Sequence, residues 1–177
     1  MNPRTHAESL IVEIPDYPTP GVVFKDLTPV FVDARGLEYV TESCRSHFAD
    51  AGLTAIAGIE ARGFIIGAAL AGHMDLGFVP IRKAGKLPRR TYRVDYSLEY
   101  GTDSVEIHTD ALTPKDRVLL VDDVLATGGT ATASAELIEH CGATVVGLAV
   151  MLNLDFLGGE TRFRARFPET EVFTVFH

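Results

Sequence analysis

The feature that most constrains the fold is a short apolar run, Val118-Leu119-Leu120-Val121, which ends in two adjacent carboxylates, Asp122 and Asp123. The run has no polar residue at alternate positions, so both faces of an extended strand would be apolar. Strands of this composition are typical of parallel sheets that are covered on both faces. The run therefore predicts a central strand with a carboxylate pair at its carboxyl end.

Further strand candidates alternate with helix candidates along the 177 residues, a length that fits one domain. The strand candidates are 54–59, 78–81, 117–121, 144–152 and 172–176. The helix candidates are about 7–14, 37–51, 63–72 and 130–140. This alternation predicts an α/β fold with a mostly parallel sheet flanked by helices. Ligands of such sheets bind at the carboxyl ends of the strands, so functional residues are expected directly after strands.

A basic island, defined as residues 82–93, contains six cations and no acid: Arg82, Lys83, Lys86, Arg89, Arg90 and Arg93. The next stretch, Asp95–Asp110, carries five acids and no Lys or Arg. The strand-forming stretches 91–94 and 104–109 flank Tyr96–Gly101 and predict a hairpin or a projecting flap. In an acidic protein the island favours a small polyanion as ligand, and a solvated loop or hairpin is the alternative interpretation.

Several classes of function are disfavoured by composition. The net charge of −8 argues against general binding to nucleic acid or to membrane surfaces. No apolar run reaches the ~18 residues that span a bilayer, and the first residues lack a secretory signal pattern. The two cysteines, Cys44 and Cys141, form no CxxC motif, which disfavours structural zinc and a disulfide framework. We therefore expect a cytoplasmic protein with reduced thiols.

The residues after the carboxylate pair suit a phosphate group. In the phosphate loop, defined as Ala126-Thr127-Gly128-Gly129-Thr130, glycines allow close backbone approach and the following helix adds positive potential. The chain has neither a P-loop lysine motif nor G-x-G-x-x-G. Asp122 and Asp123 would then accept hydrogen bonds from ribose hydroxyls and help to hold hydrated Mg²⁺. The alternative is that they only begin a turn and cap the helix.

The segment Val118–Thr130 resembles the phosphoribosyl-diphosphate motif of the type I phosphoribosyltransferases. Four more segments, in the family's order, narrow the resemblance to the adenine phosphoribosyltransferases: 15–26, 58–64, 81–88 and 97–101. The resemblance runs from about Ile14 to Leu157. It implies one domain, with a base-binding hood from about 1–33 and a flap from about 82–109, in a homodimer. It also implies a Mg²⁺-dependent reaction in which adenine and phosphoribosyl diphosphate give AMP and diphosphate.

The same resemblance implies roles for individual residues. It assigns the ribose hydroxyls to Asp122 and Asp123, and the 5′-phosphate to Ala126, Thr127, Gly128, Gly129 and Thr130. The diphosphate falls to Arg62, Gly63, Lys83 and Lys86, with the lysines acting either within one subunit or across a subunit boundary. Adenine would lie against Val23, Phe24, Lys25 and Leu154, with Glu99 as the acid/base residue. Related enzymes commonly have arginine at position 25, so we expect main-chain groups rather than the Lys25 side chain to select the purine.

Two other functions stay open at this point. A transferase for a 6-oxopurine would share the phosphate loop, although segments 15–26 and 97–101 oppose it. A regulator that kept the fold and binds nucleic acid without catalysis is opposed by the short, non-basic N-terminus and the charge of −8. No role is assigned to Arg89, Arg90 and Arg93, and a solvated face or a subunit contact is expected for Arg162, Arg164 and Arg166.

Overall fold

The computed structural model of the chain describes residues 2–17, 19–97 and 101–176. Its helices are α1 (Pro3–Ser9), α2 (Thr28–Val32), α3 (Ala34–His47), α4 (Gly63–Met74), α5 (Gly129–His140) and α6 (Gly159–Arg166), with a 3₁₀ turn at Asp155–Leu157. Its strands are β1 (Val12–Pro15), β2 (Val23–Asp26), β3 (Ala55–Ile59), β4 (Gly77–Lys83), β5 (Thr91–Ser97), β6 (Thr102–His108), β7 (Arg117–Leu125), β8 (Thr144–Asn153) and β9 (Glu171–Phe176).

The main sheet has seven strands in the order β5-β6-β4-β3-β7-β8-β9. The five strands from β4 to β9 in that order are parallel, whereas β6 pairs antiparallel with both β4 and β5. The predicted α/β class with a mostly parallel sheet is therefore confirmed. The strand order reverses direction at β3 and β7, so the carboxyl ends of these two neighbours form the site that topology favours for a ligand.

The core lies on both faces of this sheet, as the apolar run of β7 predicted. Leu119 and Val121 pack with apolar side chains of α1, α3 and α4, whereas Val118 and Leu120 pack with those of α5, α6 and the β5–β6 hairpin. All four side chains are buried. Alternate residues of one strand thus anchor two separate helical layers.

Two glycines allow α4 to lie close against β3. A Cβ atom at Gly67 would come within 2.8 Å of Cε2 of Phe78, and one at Gly58 within 2.7 Å of the same atom and 2.9 Å of the Gly63 carbonyl oxygen. Side chains at these positions would push the helix away from the strand. The close contact fixes the position of Arg62 and Gly63 at the start of α4.

The N-terminal prediction was wrong in part. The helix ends at Ser9 rather than continuing to Ile14, and Val12–Pro15 forms a strand that pairs antiparallel with Val23–Asp26. Helix α1 starts at an Asn2 cap that accepts a hydrogen bond from the Arg4 amide. Tertiary pairing across the proline-rich turn, including the Glu13–Lys25 ion pair, outweighs the local helical pattern.

Other differences concern element boundaries. Strand β7 continues through both aspartates to Leu125, because Asp122 pairs with Val150 and Leu125 with Asn153 of β8. Helix α3 begins at Ala34, where the Asp33 side chain caps it by accepting a hydrogen bond from the amide of Gly36. Helices α2 and α6 were not predicted, because both are short and lack an amphipathic repeat long enough to detect.

The predicted hairpin is confirmed over the residues that the structure describes. Strands β5 and β6 pair from Thr91–His108 to Ser97–Thr102. The hairpin packs against α5, and it joins the main sheet where Arg82 and Lys83 of β4 pair with Glu106 and Val105. Its paired part is therefore an edge of the sheet rather than a free projection. None of the described helices combines the length and the apolar composition that a membrane span requires.

We expect Gly67→Ala to lower the free energy of unfolding by about 1–3 kcal/mol, because the added methyl group overpacks the contact with Phe78. Gly72→Ala is the matched control in the same helix, since a Cβ there meets no atom within 4 Å. This control should be neutral or stabilising by up to about 1 kcal/mol. Urea unfolding of both variants tests the packing, and equal effects would contradict it.

Candidate active site

The phosphate loop lies where β7 ends and α5 begins. A cavity of about 80 Å³ is lined by Asp122 and by eight residues around and within the loop: Val124, Leu125, Ala126, Thr127, Gly128, Gly129, Thr130 and Ala131. The amides of the first turn of an α-helix have no intrahelical acceptor. No acid stands in the first turn of α5, and no side chain of the described residues caps it. The cavity therefore offers free donors and positive potential to an anion.

The loop conformation depends on contact with α6. Gly128 has φ +78, which favours glycine, and its α-carbon faces Gly159: an added Cβ would lie 2.5 Å from the Gly159 carbonyl oxygen. A Cβ at Gly159 would lie 2.1 Å from the carbonyl oxygen of Ala126. The start of α6 thus supports the phosphate loop from behind, backbone against backbone. The sequence pattern revealed the glycines of the loop but not this support.

The two aspartates lie beside Arg62 and Gly63 at the start of α4. Nε of Arg62 lies 2.7 Å from Oδ2 of Asp123, whose side chain is almost completely buried. The N–H is not aligned on that oxygen, so among the described residues Oδ2 receives no hydrogen bond. Oδ1 of Asp122 accepts a hydrogen bond from the Asp123 amide, and a Cβ at Gly63 would come within 3.1 Å of it. The predicted ribose and diphosphate residues therefore lie side by side.

The two carboxylates have different environments. Burial, and then the neighbouring Asp123 carboxylate, raises the pKa of Asp122 well above its usual range, and Arg62 opposes that rise. A cation or a hydroxyl donor that approaches Asp122 would favour its charged form. The pair is thus suited to a ligand that brings positive charge or hydrogen-bond donors.

These carboxylates also fit a magnesium ion that a phosphorylated ligand brings with it. The described residues contain no cluster of three His, Cys, Asp or Glu side chains that would hold a metal by themselves. Mg²⁺ commonly takes one or two carboxylates and completes its coordination with phosphate oxygens and water. Asp122 and Asp123 would supply the protein oxygens of such a site.

Glu60, to which we assigned no role from the sequence, joins the segment after β3 to the end of β4 on the diphosphate side. Its carboxylate accepts hydrogen bonds from Nε and Nη2 of Arg82, both at 3.1 Å, and from the Lys83 amide at 3.0 Å. The bond from Arg82 holds the pKa of Glu60 below its usual range. Glu60 directly follows β3, so the rule that functional residues follow strands would have identified it.

The basic island is largely neutralised by acids of the same chain. Four cations form ion pairs: Arg82 with Glu60, Lys83 with Asp103, Arg89 with Asp110, and Arg93 with Asp95. In the part of the chain that the structure describes, Lys86 and Arg90 form no such pair. Four of the six cations of the island thus have an acidic partner in the same chain, and binding of a polyanion by the island stays a prediction. Lys83 and Lys86 stand at the end of β4, beside the Arg62 loop.

The predicted adenine residues Phe24 and Lys25 have different neighbours in the β1–β2 hairpin. The Phe24 ring lies edge-on to Tyr17 at 5.3 Å, and the Arg62 guanidinium carbon is 6.0 Å from its centroid. Lys25 instead pairs with Glu13 at 2.6 Å and lines, together with Leu154, a cavity of about 700 Å³. Val23 is exposed and lies outside that cavity's lining. Glu99, the predicted acid/base residue, lies outside the described residues.

The outer edge of β2 carries main-chain groups that are available to a ligand. Within the described residues, β1 is the only strand that pairs with β2. An edge strand presents N–H and C=O groups that point away from its partner. This arrangement agrees with the expectation that main-chain groups of Val23–Lys25, rather than the Lys25 side chain, would recognise a base.

This geometry coincides with a known class of protein. The sequence pattern of the phosphoribosyl transferase domain matches residues 35–176, and the chain belongs to that family. Its relatives are more specific: the adenine phosphoribosyltransferase of Streptomyces clavuligerus is 54% identical over 163 residues, which cover 92% of each chain.

Solved structures agree with the family assignment. The adenine phosphoribosyltransferase of Rhodothermus marinus superposes with a TM-score of 0.90 at 46% identity, covering 98% of this chain and 97% of that one. The enzyme of Saccharomyces cerevisiae, solved with adenine and an imino-altritol bisphosphate, gives a TM-score of 0.88 at 33% identity with 98% coverage of both chains. The type I phosphoribosyltransferase fold expected from the sequence is therefore confirmed.

We expect Gly159→Ala to destabilise the protein by about 3 kcal/mol, because the methyl group cannot fit against the backbone of Ala126. Gly158→Ala provides the comparison: the residue has φ +68, but an added Cβ there meets no atom within 4 Å. It should cost about 1 kcal/mol from the left-handed conformation alone. Chemical denaturation measures both. A smaller loss for Gly159→Ala than for Gly158→Ala would show that α6 does not support the loop.

Proposed function

We propose that the chain transfers the phosphoribosyl group of phosphoribosyl diphosphate to adenine, giving AMP and diphosphate, as an enzyme of purine salvage. The observation that carries this proposal is the junction of the phosphate loop, the twin aspartates and the Arg62–Gly63 loop at the carboxyl ends of β3 and β7. The names of the relatives point to adenine as the base.

The site would position the sugar before any bond changes. The amides and hydroxyls of 126–130 would bind the 5′-phosphate, and Asp122 and Asp123 would accept hydrogen bonds from the ribose hydroxyls. Fixing both ends of the ribose holds its anomeric carbon in one orientation. Orientation of this kind removes much of the entropic barrier to a two-substrate reaction.

Departure of the diphosphate requires positive charge next to it. Arg62, the Gly63 amide, Lys83 and Lys86 lie at the adjoining ends of β3 and β4 and would stabilise the developing negative charge. Bound Mg²⁺ would neutralise part of the diphosphate charge, and Asp122 and Asp123 would provide its protein oxygens. As the bond to diphosphate weakens, the sugar gains oxocarbenium character, as in glycoside hydrolysis.

Adenine would approach from the β1–β2 hairpin, which we propose as the hood. The outer edge of β2 offers main-chain donors and acceptors at Val23–Lys25, with Phe24 and Leu154 as apolar contacts. Glu99, on the proposed flap of 82–109, would accept or relay the proton that adenine loses as the new bond forms. Exclusion of water by the flap would strengthen these polar interactions.

The alternatives lack support from the relatives. A 6-oxopurine transferase would share the phosphate and ribose contacts, but the relatives quoted above are adenine enzymes. A regulator that binds nucleic acid would need a basic surface, and much of the basic island is paired with acids. Charge therefore still opposes nucleic acid as a partner.

Assembly and location complete the proposal. A homodimer is expected from the resemblance, and large apolar side chains such as Val32, Ile65 and Phe156 are exposed and available for burial against a partner. A cytoplasmic location stays a prediction. The thiols of Cys44 and Cys141 form no disulfide, which is usual for a protein in a reducing compartment. Burial raises the pKa of Cys44 to about 12, so that thiol is unreactive.

The direct test is product identification after the protein is mixed with adenine, phosphoribosyl diphosphate and Mg²⁺. We expect AMP and diphosphate in equal amounts, and no AMP when any of the three is omitted. In competition with hypoxanthine and guanine, adenine should be consumed first. Preference for either 6-oxopurine would refute the assignment of the base, and salt-sensitive DNA binding without turnover would favour the regulator.

We also expect Glu99→Gln to lower kcat by about 100-fold or more, because the amide cannot accept a proton in the transition state. The affinity for phosphoribosyl diphosphate should change little. Steady-state kinetics and calorimetric titration measure the two effects separately, with Glu169→Gln at an exposed site as the control. Equal losses in turnover and in binding would contradict the role of Glu99.

A further inference from the structure

Lys83, one of the cations proposed for the diphosphate, is already bound to a carboxylate of its own chain. Its Nζ lies 2.6 Å from Oδ2 of Asp103 on β6. This bond raises the pKa of Lys83 and lowers that of Asp103, so both groups are charged near neutral pH. A diphosphate that binds Lys83 must therefore compete with Asp103 for the same ammonium group.

A buried tyrosine supports this ion pair. The hydroxyl of Tyr96 donates a hydrogen bond to Oδ2 of Asp103 at 3.2 Å, and Tyr96 and Asp103 are cross-strand partners in the hairpin. Burial raises the pKa of the Tyr96 phenol, so the hydroxyl keeps its proton near neutral pH. The Asp103 carboxylate is thus held by Tyr96 while it holds the Lys83 ammonium.

The lysine side chain is the more exposed partner of the pair. The Lys83 backbone is held on both sides, because its amide donates to Glu60 at 3.0 Å and the residue pairs with Val105 of β6. Its side chain is 56% exposed, against 26% for Asp103. A four-carbon stem with three rotatable donors can turn from one anion to another without movement of the strand.

Asp103 can release the lysine without becoming an unsatisfied buried charge. Its Oδ1 accepts a hydrogen bond from the Ser104 amide at 2.8 Å, and its Oδ2 retains the bond from Tyr96. A carboxylate that keeps two hydrogen bonds loses much less on losing its cation than one left without partners. The exchange therefore costs the free energy of the ion pair, without a further penalty for an unsatisfied carboxylate.

We propose that Asp103 is a positioning residue that holds Lys83 in the ligand-free site and limits the affinity for phosphoribosyl diphosphate. The inference rests on the proposed function, since it takes Lys83 as a diphosphate ligand. Binding of the diphosphate draws the ammonium away from Asp103, and release of the diphosphate restores the ion pair. Such competition weakens the binding of substrate and product diphosphate, which favours product release.

The test is calorimetric titration of Mg²⁺–phosphoribosyl diphosphate into the full chain and into Asp103→Asn. The amide removes the negative charge and keeps an acceptor for Tyr96 or Ser104. We expect the variant to bind about two- to five-fold more tightly, the range that an exposed ion pair is worth. Asp103→Ser, which also removes the charge, is a second variant with the same expectation if the first does not fold.

Three controls assign the effect to Lys83. Asp110→Asn removes a carboxylate from another ion pair of the hairpin, that with Arg89, and should leave the affinity unchanged. AMP has the 5′-phosphate and the base but no diphosphate, so its affinity should be the same in all these variants. In a Lys83→Met background, Asp103→Asn should have no effect on the binding of phosphoribosyl diphosphate.

The outcomes separate this inference from the proposed function. Unchanged or weaker binding by Asp103→Asn, or tighter binding that persists in the Lys83→Met background, would overturn the role of Asp103. Failure of the unsubstituted protein to bind either AMP or Mg²⁺–phosphoribosyl diphosphate would instead overturn the proposed function. A loss of fold alone cannot imitate the expected result, because a damaged site does not bind its ligand more tightly.

Discussion

The structure depends above all on the burial of β7 on both faces. Leu119 and Val121 anchor one helical layer and Val118 and Leu120 the other, so the strand cannot shift without disrupting both cores. The residues that follow β7 therefore start from a fixed position. The phosphate loop leaves the end of a strand that is fixed on both sides, enters the N-terminus of α5, and rests on Gly159 of α6. A site that must hold an anion with backbone amides needs this support, because free loop amides would prefer water.

Charge is distributed so that an acidic chain can still bind a polyanion. Two of the three cations that face the proposed diphosphate are held by a carboxylate of the same chain: Arg62 by Asp123 and Lys83 by Asp103. Internal pairing keeps these side chains near their working positions and lowers the repulsion among them. The free energy of ligand binding is then a difference between the ion pairs formed with the ligand and the ion pairs broken within the protein. The net charge of −8 therefore says little about the affinity of this site, although it does bear on large polyanions such as DNA.

The sequence was most informative where structure and chemistry are local. The order Val118–Val121, twin aspartates and Gly128–Gly129 predicts a strand and a helix start from neighbouring residues alone, and the structure confirms both. The ligand between them stays a prediction. Prediction failed where the outcome depends on distant partners. Val12–Pro15 resembles a helix end until it pairs with Val23–Asp26, and Asp103 resembles any exposed strand acid until Tyr96 and Lys83 are placed beside it. Such contacts are set by the assembled sheet, which no single segment specifies.

The proposed site for the base and the proposed site for the sugar share one cation, so their binding energies would not be independent. The Arg62 guanidinium carbon lies 6.0 Å from the Phe24 ring of the β1–β2 hairpin, and Nε lies 2.7 Å from Asp123. Arg62 also helps, after the hydrogen bonds from Thr28, to lower the pKa of Asp26 at the end of β2. A ligand that draws the guanidinium toward a diphosphate alters its interaction with the aromatic ring and with both carboxylates at once. Occupation of the proposed sugar site would therefore change the electrostatic environment of the hairpin that would receive the base, through a single side chain.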